Sequence, residues 1–190
     1  MTEQDVLGLL VETDALLTGH FELRSGLHSD RFFQCANLLR FPRKAEILCK
    51  ALVENVKAAA EVGQIDAVIS PALGGILVGH EVARALDVMS IFAEKEDDRL
   101  VMRRFQIVES ARYVVAEDVI TRGGRVQETI DIVEAGGGVV AAIALLVDRS
   151  GGKVQFNYPT FSLIQMEPTV WEPAECPLCA SGSKAVHPGS

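Results

Sequence analysis

The most constraining feature of this chain is a regular alternation of short apolar runs with amphipathic stretches between residues 42 and 147. Residues 67–70, 88–93, 113–116 and 139–147 are apolar runs too short for buried helices, and they read as strands. Residues 42–62 have helical spacing instead. Ile47, Leu48, Ala51, Leu52, Val56 and Ala59 line one face, and Glu46, Lys50, Glu54, Lys57 and Glu61 line the other. Pro42 suits the start of that helix and Gly63 its end. Residues 76–86 and 125–135 read as further helices. Strand–helix alternation predicts βαβ units, hence an α/β fold with a mostly parallel sheet flanked by helices. Ahead of it, residues 1–18 read as an amphipathic helix that Gly19-His20 ends, followed by a short strand over 21–23.

In such sheets ligands bind beyond the carboxyl ends of the strands. The loops after Ser70, Ala93, Ala116 and Val147 are therefore the places to find chemistry. At 190 residues the chain suits one domain, and 48% hydrophobic residues suffice for a core. A net charge of −8 argues against a general nucleic-acid or anionic-membrane binder, though not against small anionic ligands held by a local basic cluster. The longest apolar run, 139–147, falls short of the ~18–20 residues a membrane-spanning helix needs, and the N-terminus lacks a secretion signal, so a cytoplasmic protein is expected.

The loop after the strand at 113–116 reads Glu117-Asp118-Val119-Ile120-Thr121-Arg122-Gly123-Gly124-Arg125. Two glycines at a helix start let backbone N–H groups converge on an anion, and Thr121, Arg122 and Arg125 add donors. Glu117 and Asp118 suit ribose hydroxyls or a Mg²⁺ ion carried by a phosphorylated ligand. A plain strand end with a helix cap is the alternative. Two acids and two bases within nine residues at a ligand crevice favour the functional reading.

Residues 114–125 resemble the phosphoribosyl-pyrophosphate (PRPP) loop of the type I phosphoribosyltransferases: two hydrophobics, two acids, two hydrophobics, Thr, a variable residue and Gly. The segment from Gly19 to Phe33, with its Ser25-Gly26 turn and the Phe32-Phe33 pair, looks like the N-terminal signature of the orotate phosphoribosyltransferases. Phe32 and Phe33 could wall a pyrimidine ring, and Arg24 could reach an anionic group. Arg149 follows the last predicted strand, where the family places an arginine on the orotate carboxylate; a planar guanidinium suits that pairing.

The resemblance spans roughly residues 15–150. It implies a Rossmann-like type I phosphoribosyltransferase core over 41–165, an N-terminal hood over 1–40, and a Pro/Gly/Cys-rich tail over 166–190. The implied reaction moves the phosphoribosyl group from PRPP to orotate, giving orotidine 5′-monophosphate and pyrophosphate in de novo pyrimidine synthesis with Mg²⁺. Glu117 and Asp118 would hold the ribose, and residues 119–125 the 5′-phosphate. Leu73 and Gly74 would lie at the pyrophosphate, and Thr121, Arg24, Phe32, Phe33 and Arg149 at orotate. Residues 94–104 hold eight charges in eleven positions and match the family's mobile loop, which reaches the neighbouring active site of a homodimer. Lys95 would touch pyrophosphate there, with Arg99 standing for the catalytic lysine.

Three departures from the pattern stand out. The loop has no histidine and carries Asp97 and Asp98; Leu73 and Gly74 stand where many members have an aromatic residue and a lysine; and Arg122 and Arg125 replace small residues. They keep two other readings open: a PRPP-binding regulator without catalysis, and a phosphoribosyltransferase for another base. Other motifs fail. His80-Glu81-Val82-Ala83-Arg84 lacks the second histidine of a zinc protease, His28-Ser29-Asp30 cannot fold into a triad, and no nucleotide-binding glycine loop of the P-loop or dinucleotide type occurs. Cys176-Pro177-Leu178-Cys179 has zinc-knuckle spacing but supplies two ligands of four. His187, Cys35 and Cys49 are candidates to complete it, and two tail thiols without metal are the plainer reading.

Overall fold

The computed structural model describes residues 1–23 and 25–188. Five parallel strands form the central sheet: β3 (Ala67–Pro71), β4 (Met89–Glu96), β6 (Arg112–Ile120), β7 (Val139–Asp148) and β8 (Thr160–Gln165). A short antiparallel strand, β5 (Arg99–Val101), extends one edge, so the order is β5-β4-β3-β6-β7-β8. Successive side chains of a strand point to opposite faces, and the core divides accordingly. Val68, Val114, Ala116, Ala142, Ala144 and Leu146 pack under α1 (Glu3–Glu12), α3 (Pro42–Ala58) and α4 (Gly74–Leu86). Ile69, Tyr113, Val115, Ile143 and Leu145 face α5 (Gly124–Ala135) on the other side. Helices on both faces of a parallel sheet are what the alternating sequence predicts.

The chain first builds β3, steps outward to β4, then returns past β3 to lay down β6, β7 and β8. Strand order therefore reverses between β3 and β6. At such a reversal the loops leaving two adjacent strands diverge to opposite faces and open a crevice.

Several boundaries differ from expectation. The first helix ends at Glu12, not near residue 18: the Thr13 hydroxyl donates back to the Leu9 carbonyl at 2.7 Å, and Asp14 turns to a φ of 55°. Gly19 and His20 consequently lie inside β1 (Leu16–Glu22) rather than at a helix end. Helix α3 stops at Ala58, with Ala59 extended, and Gly63 belongs to the turn beyond it.

The charge run at 94–104 is not an open loop. Strand β4 continues through Glu96, turns at Asp97 and Asp98, and returns as β5. Both turn residues take positive φ, 44° and 64°, as a two-residue type I′ hairpin requires, and aspartate tolerates that region better than most residues. The hairpin leans on α5, where the Leu100 N–H donates to Glu128 at 3.0 Å.

Strands β1 and β2 (His28–Phe33), followed by the short helix α2 (Ala36–Leu39), form the hood. The tail is not a loose appendage. Its strand β9 (Val170–Trp171) pairs with β2, completing a three-stranded sheet in the order β1-β2-β9. Further on, Val186 bridges to Phe21. Ser29 also donates its hydroxyl to the Thr169 carbonyl at 2.8 Å.

Candidate active site

The crevice between β3 and β6 holds the two acids. Glu117 and Asp118 sit near the carboxyl end of β6, where Glu117 is buried and Asp118 partly so. Glu117 accepts the Asp118 N–H at 3.0 Å, and Asp118 accepts the Val119 N–H at 2.8 Å. Burial, then the adjacent Asp118 charge, pushes the Glu117 carboxyl well above its ordinary range; burial raises Asp118 as well. Two carboxylates in this state favour hydroxyl donors or a cation as company.

The glycines after β3 close against these acids. A Cβ built on Gly74 would meet Asp118 Oδ2 at 2.8 Å, and one on Gly75 would meet Glu117 Oε1 at 2.9 Å. The family resemblance puts Gly74 at the pyrophosphate, where backbone N–H groups of a Gly-Gly turn can hold a phosphate without the lysine many members have. The structure adds a packing reason for glycine, since any side chain would collide with a carboxylate. Leu73, just before, is 84% exposed and touches no core.

Beyond β6 the chain forms a depression of about 160 Å³ lined by Glu117 and residues 119–126. Thr121 and Arg122 are exposed there. Gly123 takes a φ of 72°, and a Cβ would strike Val154 at 2.7 Å and Phe156 at 2.8 Å, so only glycine fits. Among the described residues no side chain caps the N-terminus of α5, which leaves its first-turn N–H groups directed at the depression. Arg125 lines the depression but turns its guanidinium to Glu128 at 2.9 Å and to the Asp98 carbonyl at 3.1 Å. Its charge thus supports the 94–104 hairpin rather than standing free at the anion site.

On the hairpin, Lys95 pairs with Asp98 at 2.5 Å and Arg99 is exposed. Parallel pairing of β4 beside β3 sets the hairpin at the same carboxyl end of the sheet as the crevice.

The aromatic pair divides between two faces. Phe33 is buried in the core, while Phe32 packs on Phe21 with ring centroids 5.9 Å apart. The pair therefore does not form one wall, because adjacent strand residues point opposite ways. Phe33 alone meets Arg149, whose guanidinium carbon lies 5.7 Å from its ring centroid. Arg149 follows Asp148, which is buried and accepts from Ser150 N and Oγ and from Gly152 N. That knot fixes the turn carrying Arg149. Burial works against the Arg149 charge, and its Nε is buried without a partner among the described residues. A half-buried guanidinium with an unused donor suits an anionic ligand. Arg24 lies outside the described residues.

Cys35 was missed as a neighbour of this site. Its sulfur lies 3.9 Å from the Asp118 carbonyl, and burial raises its thiol far above the ordinary range, so it serves as packing. The tail cysteines go elsewhere. Cys176 and Cys179 meet His20 and His28, whereas Cys35 and Cys49 are buried in the main core and His187 is exposed. The completions suggested by sequence are thus replaced by two histidines of the hood.

Comparison with known proteins agrees with this geometry. Residues 40–179 match the phosphoribosyl transferase domain family. The orotate phosphoribosyltransferase of Heliobacterium modesticaldum is 48% identical over 191 aligned residues, covering 100% of this chain and 99% of that protein. The crystal structure of orotate phosphoribosyltransferase from Aeropyrum pernix superposes with a TM-score of 0.66 at 23% identity, covering 84% of this chain and 92% of that one. The adenine phosphoribosyltransferase structure from Rhodothermus marinus gives a TM-score of 0.63 at 20% identity, covering 84% and 99%. Those two structures speak to the fold, which purine and pyrimidine enzymes share. Full-length similarity at the higher identity is more specific, and on it this chain belongs to the phosphoribosyl transferase family, among the orotate phosphoribosyltransferases.

Proposed function

We propose that this chain transfers the 5-phosphoribosyl group of PRPP to N1 of orotate, yielding orotidine 5′-monophosphate and pyrophosphate for pyrimidine synthesis. The observation that carries the reading is a convergence. The Gly74-Gly75 turn, the Glu117-Asp118 pair and the uncapped start of α5 meet at one crevice where the strand order reverses. Across β7, Arg149 offers its unused donor beside Phe33.

Each group then has a task. The amides at the start of α5, with Thr121 and Arg122, hold the 5′-phosphate as an anchor remote from the reacting carbon. Glu117 and Asp118 accept the ribose hydroxyls and lie where positive charge develops on the sugar as the pyrophosphate leaves. The Leu73–Gly75 turn faces the pyrophosphate with backbone N–H groups, the Ala72 N–H being taken by the Ala93 carbonyl at 2.8 Å. Arg149 pairs with the orotate carboxylate, and Phe33 backs it. Arg24 belongs to the same proposed base site.

Oxygen donors and an unbalanced pair of buried carboxylates fit a hard divalent cation such as Mg²⁺. Bound with PRPP beside Glu117 and Asp118, such an ion would supply positive charge against the pyrophosphate. Lys95 and Arg99 complete the reading: in a homodimer the 94–104 hairpin of each subunit covers the neighbouring site and excludes water. For that, Lys95 exchanges Asp98 for a pyrophosphate oxygen, a low-cost exchange at an exposed pair. Among the described residues no helix is long and apolar enough to cross a membrane, and a cytoplasmic enzyme is the setting this reading assumes.

The test is loss of orotate absorbance with purified protein, PRPP and Mg²⁺, with uracil, adenine and hypoxanthine in parallel. Orotate turnover that stops on chelation supports the reading. PRPP binding without turnover of any base points to the regulator, and turnover of another base relocates the specificity. Asp118→Asn is expected to cut kcat by ~100-fold or more at an unchanged unfolding midpoint. Full activity in that variant removes Asp118 from its role.

A further inference from the structure

We propose that His20, His28, Cys176 and Cys179 bind one Zn²⁺ in a tetrahedral site that staples the C-terminal tail to the hood. His20 lies on β1 beside its register shift, and His28 opens β2 opposite Glu22. Cys176 immediately precedes the four-residue helix α6 (Pro177–Ala180), and Cys179 lies within it. One ligand atom from each of the four residues lies within 4.8 Å of all the others.

The separate distances suit a single small ion. His20 Nε2 and His28 Nδ1 are 2.9 Å apart, and Cys176 and Cys179 sulfurs stand 3.5 and 3.7 Å from His20 Nε2. Cys179 is 3.3 Å from His28 Nδ1. Tetrahedral zinc with its usual Zn–N and Zn–S bonds sets these edges at about 3.3–3.8 Å, so the four groups need little movement to share one centre. Two sulfurs and two imidazoles in a tetrahedron select zinc over the oxygen-seeking Mg²⁺ or Ca²⁺.

Charge balance supports the same ion. Binding releases the two thiol protons to solvent, and two thiolates with two neutral imidazoles leave the Zn²⁺ site uncharged overall. A neutral site is tolerable where His20, His28 and Cys176 are all buried. Both cysteines are free thiols rather than a disulfide.

The site also answers a structural need. Strand β9 contributes only two residues to the hood sheet, and one isolated bridge joins Phe21 to Val186. So small a sheet is marginal by itself. A metal joining residues 156 positions apart, His20 and Cys176, holds the tail against the hairpin whose β2 carries Phe33 to Arg149.

The experiment is metal analysis of the full-length, untagged protein purified under reducing conditions without chelator. One zinc per chain is expected, falling to ~0.1 or less in Cys176→Ser and in Cys179→Ser. Exchange into Co²⁺ should give the intense visible bands of a tetrahedral thiolate site, absent from both variants. Zinc removal should lower the Tm by ~5 °C or more, with re-addition restoring it. Any of three results would overturn the proposal: a folded wild-type chain that neither carries nor takes up zinc; iron or copper found at the site instead of zinc; or a two-hydrogen mass loss from a Cys176–Cys179 disulfide. These readouts need no catalytic assay, so they stand or fall separately from the proposed reaction.

Discussion

Gly74→Ala tests whether the crevice is built as described. The new Cβ would sit 2.8 Å from Asp118 Oδ2 and 3.0 Å from both Cγ and Oδ1. Ordinary contacts of this type begin ~0.5 Å further out, so the whole carboxyl group must retreat by about that distance. Rotation about the Cβ–Cγ bond cannot relieve it, because all three carboxyl atoms face the glycine. The retreat also stretches the 2.8 Å bond from Val119 N–H. Overpacking of this kind costs ~1–3 kcal/mol. Against that stands a helix-propensity gain of up to ~1 kcal/mol, since Gly74 opens α4 in a conformation alanine can adopt. Net destabilisation should be about 1 kcal/mol, while a carboxylate displaced by a fraction of an ångström should cost ~10–100-fold in kcat/KM for PRPP. Urea unfolding and initial-rate kinetics measure the two effects. Gly8→Ala is the control: it lies in α1 with nothing within 4 Å, and should gain stability without losing activity. Wild-type kcat/KM in Gly74→Ala would refute the assignment of Asp118 to a fixed position against this turn.

Three further outcomes are expected. Glu117 holds its proton more tightly folded than unfolded, so its contribution makes stability fall as pH rises above its ordinary 4.5 through the folded value; Glu117→Gln should remove that slope and unfold at higher urea than wild type near neutrality, and parallel pH profiles would contradict the burial argument. Arg149→Lys should raise the orotate KM ~10-fold or more with the PRPP KM within ~2-fold, because an ammonium cannot reproduce the planar pairing; an unchanged orotate KM would place the carboxylate elsewhere. Arg125→Gln should leave the PRPP KM within ~2-fold and lower stability by ~0.5 kcal/mol, as expected of a half-exposed pair with Glu128; a tenfold weaker PRPP KM would return Arg125 to the phosphate.

How much of this was legible in one dimension depended on the distance over which each feature is encoded. The strands β3, β6 and β7 were legible because a run such as 113–116 or 139–147 is apolar on both faces, a local property of a fully covered parallel strand. The helix ends were less so. Thr13 and Asp14 stop α1 by one hydroxyl and one positive φ, signals too small to outweigh the apolar pattern continuing through Leu16 and Leu17. The hairpin at Asp97-Asp98 hid behind its own charges, since alternating acids and bases look like a solvated loop until Lys95, Asp98, Arg125 and Glu128 are seen as partners.

The chemistry divides in the same way. By itself the sequence determined the α/β class and marked the loop proposed for phosphate, because an anion cradle needs acids, glycines and a helix start within a dozen consecutive residues. Tertiary structure decided which groups share a space. It set Gly74 against Asp118, parted Phe32 from Phe33, turned Arg125 away to Glu128, and brought His20 and His28 to the tail cysteines. The meetings of Gly74 with Asp118 and of the two histidines with the tail cysteines join residues separated by whole strands and helices, and only the packing of the core sets the distances between them.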